Sequence, residues 1–136
     1  MAEYIQSAIM KRMLAFSGLT DLVSARIYGG YAPQNPNYPL IILSLIVTVP
    51  TESSTEPAGL AKSLLQLDIY APTKSVAVAI SQQASLCLHA WQGDIYDDMQ
   101  VYHVMRKSDV DAPRDPDGRL QRITQQYEAW HTEPTS

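Results

Sequence analysis

The chain has 136 residues, of which 46% are hydrophobic, and this supports one domain with a packed core. Its single cysteine, Cys87, excludes an intrachain disulfide and a thiolate metal site and indicates synthesis in a reducing cytoplasm. Ten Lys and Arg against 14 Asp and Glu give a net charge of −4, which argues against a groove that grips nucleic acid phosphates.

The first half of the chain predicts one helix and then two strands. Four apolar residues recur at helical spacing near the start: Ile5, Ile9, Met13 and Phe16. They predict an amphipathic helix over residues 2–16, ended by Gly18 and followed by a loop around residues 20–21. A short strand is predicted at 24–28. Beyond a proline-rich connection lies a longer strand at 40–49.

The strand at 40–49 is apolar on both of its faces, and no longer apolar run exists that would suit a membrane span. Alternation places Leu40, Ile42 and Ile46 on one face. The other face receives five more apolar residues: Ile41, Leu43, Leu45, Val47 and Val49. Because each face needs a cover, we expect the second cover to be another copy of the same chain.

The second half predicts a strand, a helix and two further strands, at residues 61–70, 75–91, 99–106 and 119–131. Thr73 is the expected N-cap of the helix. Alternation in the third of these elements places Val101, His103 and Met105 on one face. The last strand is mostly polar, so we expect it at an edge of the sheet or along a wet surface.

These elements predict an α+β fold. The order α-β-β-β-α-β-β favours a mainly antiparallel sheet of about five strands with two helices packed on one face. We expect residues 1–131 to form a single domain and residues 132–136 to be a C-terminal tail.

Catalytic candidates are few. Cys87 and His89 lie two apart on a predicted helix and point about 200° apart, so they cannot form a nucleophile and base pair. His103 is expected in the core or at its boundary, and His131 has no evident partner. A small enzyme or ligand-binding protein, with a pocket between helix and sheet that uses His103 and the Asp94 to Asp98 cluster, is the alternative from another class.

Acidic residues form two clusters, and either could in principle hold a hard cation. The first contains Asp94, Asp97 and Asp98, and the second contains Asp109, Asp111, Asp115 and Asp117. A calcium-loop pattern fails at both ends around Gly118, which favours solvated turns over a metal site. Five of the ten basic residues lie between Arg106 and Arg122, where a solvated rim is favoured over a basic patch. We therefore predict no catalytic, metal or cofactor site.

Five short segments occur in a characteristic order along the chain: Arg26-Ile27-Tyr28, Ala32-Pro33-Gln34, Tyr38-Pro39, Leu67-Asp68-Ile69-Tyr70 and Tyr127-Glu128-Ala129-Trp130. With the helix before them, they resemble the tail terminator, or tail completion, proteins of long-tailed bacteriophages. The resemblance spans nearly the whole chain. It rests on the order and spacing of the segments rather than on any one of them.

The resemblance implies a structural virion protein, made in the host cytoplasm, that caps the tail tube as a hexameric ring. Such a ring stops tube growth and offers the surface to which the head joins. The implied partners are further copies of the chain, the major tail tube protein and a head completion or connector protein. DNA would pass only as cargo, which suits an acidic lumen, and no membrane is involved. Another neck component, such as a head completion protein, is the nearest alternative.

The expected contact surface with other subunits or the tail tube contains two strand residues and five loop residues: Ile42, Ile46, Glu52, Ser53, Ser54, Thr55 and Glu56. The loop residues belong to the segment Pro50 to Gly59, which has no apolar anchor for the core. We hypothesise that this segment is disordered in the free subunit and becomes ordered against a neighbour in the virion.

Shortening the segment Pro50 to Gly59 to a Gly-Ser turn should leave the melting temperature nearly unchanged, because loop-closure entropy varies slowly with length. Tail termination should be impaired, giving overlong tubes or tails that fail to join heads, as seen by electron microscopy. Normal tail lengths with normal head joining would refute the role assigned to this loop.

Overall fold

The computed structural model describes residues 5–31, 33–34, 36–50, 60–89, 95–96, 99–112 and 120–132. The loop residues Glu52 to Glu56 lie outside these ranges, as do Asp94, Asp97, Asp98, Asp115 and Asp117.

Three helices and six strands follow one another along the described chain. They are α1 (Ile5–Leu14), α2 (Ser17–Val23), β1 (Ile27–Gly29), β2 (Leu40–Pro50), β3 (Leu60–Ala71), α3 (Lys74–Leu88), β4 (Ile95–Tyr96), β5 (Met99–Ala112) and β6 (Gln121–Thr132). The strands form one sheet in the order β1-β2-β3-β6-β5-β4. Only β1 runs parallel to its neighbour, whereas the other pairs are antiparallel. The predicted α+β class with a mainly antiparallel sheet is confirmed.

The helices cover one face of the sheet. The buried side chains of α1 are those with the predicted helical spacing, together with Ala8. Helix α3 packs on β3, β5 and β6, while α1 packs on β1 and β2. As expected, the hydroxyl of Thr73 caps α3 by accepting a hydrogen bond from the Val76 amide at 3.3 Å.

Helix α2 occupies a segment that the sequence predicts as a loop. Its Leu19 and Val23 are fully buried, so tertiary packing stabilises a helix too short to persist alone. Gly18 lies inside this helix instead of ending α1. A Cβ atom at Gly18 would overlap the side chain of Gln83, so glycine permits the close approach of α2 to α3.

The position of β6 corrects the expectation that it is an edge strand, although its outward residues keep partial solvent exposure. It is a central strand, paired with β3 on one side and β5 on the other, and is not an edge. Two polar side chains on its inward face are buried but satisfied. Gln125 donates through Nε2 to the Ser81 carbonyl at 3.0 Å, and its Oε1 accepts from the Tyr127 hydroxyl at 3.0 Å. Polar groups can be buried when they are hydrogen-bonded. The polar composition of this strand therefore does not reveal that it is central.

Register shifts in β2 and β5 also depart from simple alternation. In β5 the shifts fall between Val101 and His103 and between Arg106 and Ser108. Val101 and Val104 are buried, whereas Met105 is exposed, so the predicted shared face of Val101, His103 and Met105 is wrong. A bulge adds one residue to one strand of a pair and thereby reverses the face of every residue beyond it.

Replacing Leu67 with Ala should lower the free energy of unfolding by about 2 to 5 kcal/mol, because this fully buried side chain would leave a cavity in the core. Leu86, whose side chain is 69% exposed on α3, is the matched control. Leu86→Ala should change stability by less than about 0.5 kcal/mol. Urea unfolding followed by circular dichroism measures both, and equal losses would contradict the assigned core.

Candidate assembly surface

The side of the sheet opposite the helices carries the alternate residues of the two central strands, and we call it the open face. Its central residues are Lys62, Leu64, Gln66, Asp68 and Tyr70 from β3 and Arg122, Thr124, Gln126, Glu128 and Trp130 from β6. In the described part of the chain no helix packs on this face. Except for Asp68, these residues keep partial solvent exposure.

Asp68 is the centre of a hydrogen-bonded network on the open face. Although ionisable, it is only 8% exposed. Its Oδ1 accepts from Arg122 Nη2 at 3.0 Å and from the Thr124 hydroxyl at 2.8 Å, and its Oδ2 accepts from Gln66 Nε2 at 3.1 Å. Gln126 extends the network by donating to Gln66 Oε1 at 3.3 Å. A carboxylate can be buried here because cationic and neutral donors replace its hydration.

Two cation–π contacts flank this network. The Arg122 guanidinium lies 5.6 Å from the centre of the Tyr70 ring, and burial raises the pKa of Tyr70 while Arg122 opposes the shift. Farther along the face, Lys62 Nζ lies 5.4 Å from the Trp130 ring centre and 3.8 Å from a Glu128 carboxylate oxygen. Both cations thus lie over aromatic rings of the open face.

Apolar side chains continue the open face along the end of β2 near Pro50. Val47 and Val49 are 46% and 47% exposed, and Ile46, the bulge residue between Leu45 and Val47, is 50% exposed. A register shift between Leu45 and Val47 brings Val47 and Val49 opposite Leu64 and Lys62, onto the same face as Ile42. The predicted placement of Val47 and Val49 with Leu43 is therefore wrong, because the bulge reverses the alternation.

The predicted contact residues divide into two groups. Ile46 is half exposed and Ile42 is partly buried, both on β2, so one of them is open to a partner in this structure. Glu52, Ser53, Ser54, Thr55 and Glu56 lie outside the described residues, and their predicted role stays a prediction.

The residues of the five short segments that carry the family resemblance lie at several different places in the fold. Arg26 Nε donates to the Pro39 carbonyl at 2.8 Å, which ties the chain before β1 to the start of β2. Tyr28 lies in β1 opposite Ile42. Pro33 and Gln34 are exposed in the connection between these strands, and Asp68, Tyr70 and Trp130 lie on the open face. Tyr127 is buried on the helix side, where burial raises the pKa of its hydroxyl.

Cys87 is a core thiol. It is fully buried in α3, and its Sγ lies 3.9 Å from the Arg12 carbonyl, to which it donates. Burial raises the pKa of Cys87 to about 11, although Arg12 acts in the opposite direction, so the nucleophilic thiolate is suppressed at neutral pH. The Nδ1 of His89 instead accepts from the Arg106 amide at 3.1 Å, so the two side chains have separate structural partners.

His131 has a partner that the sequence analysis missed. Its Nε2 lies 2.7 Å from the Ser63 hydroxyl, which in turn lies 2.8 Å from the hydroxyl of Thr48. Ser63 and His131 are buried on the helix side of the sheet. Their hydrogen bonds therefore connect three strands and are not exposed to a substrate. The inward alternation of Ser63 with Leu65 and Leu67 was the available signal.

A cleft of about 430 Å³ lies between α3 and the outer part of the sheet. Its lining includes Lys74, Ser81, Arg106 and Asp109, and an exposed ion pair of 3.2 Å joins Arg106 to Asp109. His103, which the enzyme alternative requires, does not line it. Within the described residues, no cluster of three or more histidine, cysteine or acidic side chains could hold a metal ion.

Asp68→Asn should lower the free energy of unfolding by about 1 to 3 kcal/mol, because Arg122 and Thr124 lose a charged, buried acceptor. Asp109→Asn is the matched control, since that carboxylate forms an exposed ion pair and should contribute about 0 to 1 kcal/mol. Urea unfolding of both variants makes the comparison, and an equal effect of the two would contradict the role given to burial.

None of the helices in the described part of the chain has the length and hydropathy of a membrane span. No curated protein matches the sequence. A chain from the solved structure "Virion of native gene transfer agent (GTA) particle" is similar in fold, with a TM-score of 0.75 and 16% sequence identity over 94% of each chain.

The model of the family described as "Tail completion protein gp17" matches residues 7–132. This confirms the resemblance to phage tail completion proteins and the location in the virion tail. The chain therefore belongs to the tail completion protein gp17 family, a family of structural proteins of the phage tail.

Proposed function

We propose that the chain is a tail terminator subunit. Six copies form a ring on the end of the tail tube, stop its growth and provide the surface to which the head joins. The major tail tube protein binds one side of this ring, and a head completion or connector protein binds the other. Residues 1–131 act as one domain in this assembly.

The exposed apolar residues of the open face support this proposal. Val47 and Val49 expose apolar surface on the open face, and Ile46 is exposed at the bulge next to Val47. Contiguous apolar side chains on one face, bordered by polar groups, are typical of a surface that binds another protein. Membership in a family of tail completion proteins makes a virion component the partner class that fits best.

We propose that the activity is binding without a catalytic step. In the described residues the candidate nucleophile Cys87 is buried with a raised pKa, and the hydrogen-bonded pair of Ser63 and His131 is enclosed in the fold. Neither arrangement offers a substrate an accessible nucleophile and base together. The net charge of −4 suits a ring through which DNA slides as cargo, because an acidic wall would repel phosphates.

Ile46→Glu tests the proposal. Since Ile46 is 50% exposed, a carboxylate at this position should leave the melting temperature within a few degrees of the parent value while preventing burial against a partner. We expect overlong tails or tails without heads in electron micrographs, and loss of the ring in native mass spectrometry of tail-bound or concentrated protein.

Leu86→Glu is the control, because it introduces the same charge on the exposed side of α3, away from the open face. Normal tails and rings are expected for it. A parent chain that stays monomeric both at high concentration and on tail tubes would overturn the proposed function.

A further inference from the structure

The outer edge of β2 is only partly paired. β1 pairs with Ile41, Ile42 and Leu43, and within the described part of the chain no strand pairs with this edge from Ser44 to Pro50. No charged residue occurs in β2. An edge without charges, with exposed apolar side chains on Ile46, Val47 and Val49, is open to addition of another strand.

The opposite edge of the sheet, formed by β5, is also largely unpaired. β4 pairs only with Met99 and Gln100, so in the described chain no strand pairs with the outer side of β5 from Val101 to Ala112, although the Arg106 amide donates to the His89 side chain. Three large apolar residues on this strand are exposed: Tyr102, Met105 and Val110. In the described part of the chain, each subunit therefore has two edges that other strands leave largely unpaired, one at either end of the same sheet.

We propose that β2 of one copy pairs with β5 of the next copy, so that the sheet continues from subunit to subunit. This inference rests on the proposed ring and names the strands that form its borders. The strand directions agree with it, because β2, β3, β6 and β5 alternate in direction across the sheet. A neighbour presenting the same face places its β2 antiparallel to β5, so the alternation continues across the border.

Side chains also match across the proposed border. Val47 of β2 lies opposite Leu64 of β3. Leu64 lies opposite Glu128 of β6, and Glu128 lies opposite Met105 of β5. Val47 and Met105 therefore occupy the same level of the open face at its two ends, and both are nearly half exposed. The uncharged edge of β2 brings no like charge towards Arg106 and Lys107 of β5.

Two different edges allow closure into a ring. Because the two edges differ, the contact is heterologous, and successive copies close only when their rotation completes a circle. The register shifts in β2 and β5 lie on these edge strands. Bulges increase the twist and bend of a strand, which is the curvature that a sheet needs in order to close on itself.

Cysteine cross-linking in isolated tails and in concentrated protein tests the proposal. Both double variants are made in a Cys87→Ala background. The first combines Val47→Cys with Met105→Cys. The second combines Val47→Cys with His103→Cys, which lies two residues away along β5 and allows for a shifted register. Mild oxidation should give a ladder of linked chains, read on denaturing gels, from the double variants only. The matched control joins Asp21→Cys to Gln82→Cys, two exposed positions on the helices, and should give no ladder.

The outcomes separate this inference from the proposed function. A ladder from a double variant supports the β2–β5 border, since each chain supplies one cysteine to each of two neighbours. Dimers from Val47→Cys alone would show symmetric β2–β2 pairing and overturn it. Rings that are intact by native mass spectrometry but give no ladder would also overturn it while leaving the terminator function standing. Absence of the parent chain from tails would instead refute the function.

Discussion

The pairing of β3 with β6 is the interaction on which the rest of the structure depends. The two strands pair without a register shift from Leu60 to Ala71 on β3 and from Gln121 to Thr132 on β6. This uninterrupted ladder separates two sets of side chains by strict alternation. One set, with Leu65, Leu67 and Ile69, meets the helices and forms the core. The other set is left on the open face.

The two faces satisfy their polar groups in different ways. On the helix side, Gln125 and His131 are buried and bonded to Ser81 and Ser63. On the open face, the Asp68 carboxylate is neutralised by Arg122 and bonded to Thr124. In the described residues no buried side-chain nitrogen or oxygen lacks a hydrogen-bond partner. The side chains around Asp68 on the open face are therefore already paired before any partner binds, which reduces the entropy cost of ordering them on assembly.

The edges of the sheet offer further contact surfaces beside the open face. β1 and β4 cover only three and two residues of their neighbours, so β2 and β5 keep long outer edges in the described chain. A monomer would ordinarily protect such edges, whereas a subunit of a closed assembly can use them. Within the described residues the helices lie on one side of the sheet, so they leave the open face and the long outer edges uncovered. This division of surfaces connects a small α+β fold to a structural role in a tail.

The sequence by itself determined the kinds and order of the main elements, because helical spacing in α1 and α3 and alternation in β3 are local patterns that burial enforces. It also carried the short segments that identify the family. Only the tertiary structure decided that β6 is central, that α2 is helical and that His131 meets Ser63, since each depends on partners distant in the chain. The bulges in β2 and β5 were likewise decided there. An inserted residue leaves no mark in the composition of a strand, yet it moves Val47 and Val49 onto the open face.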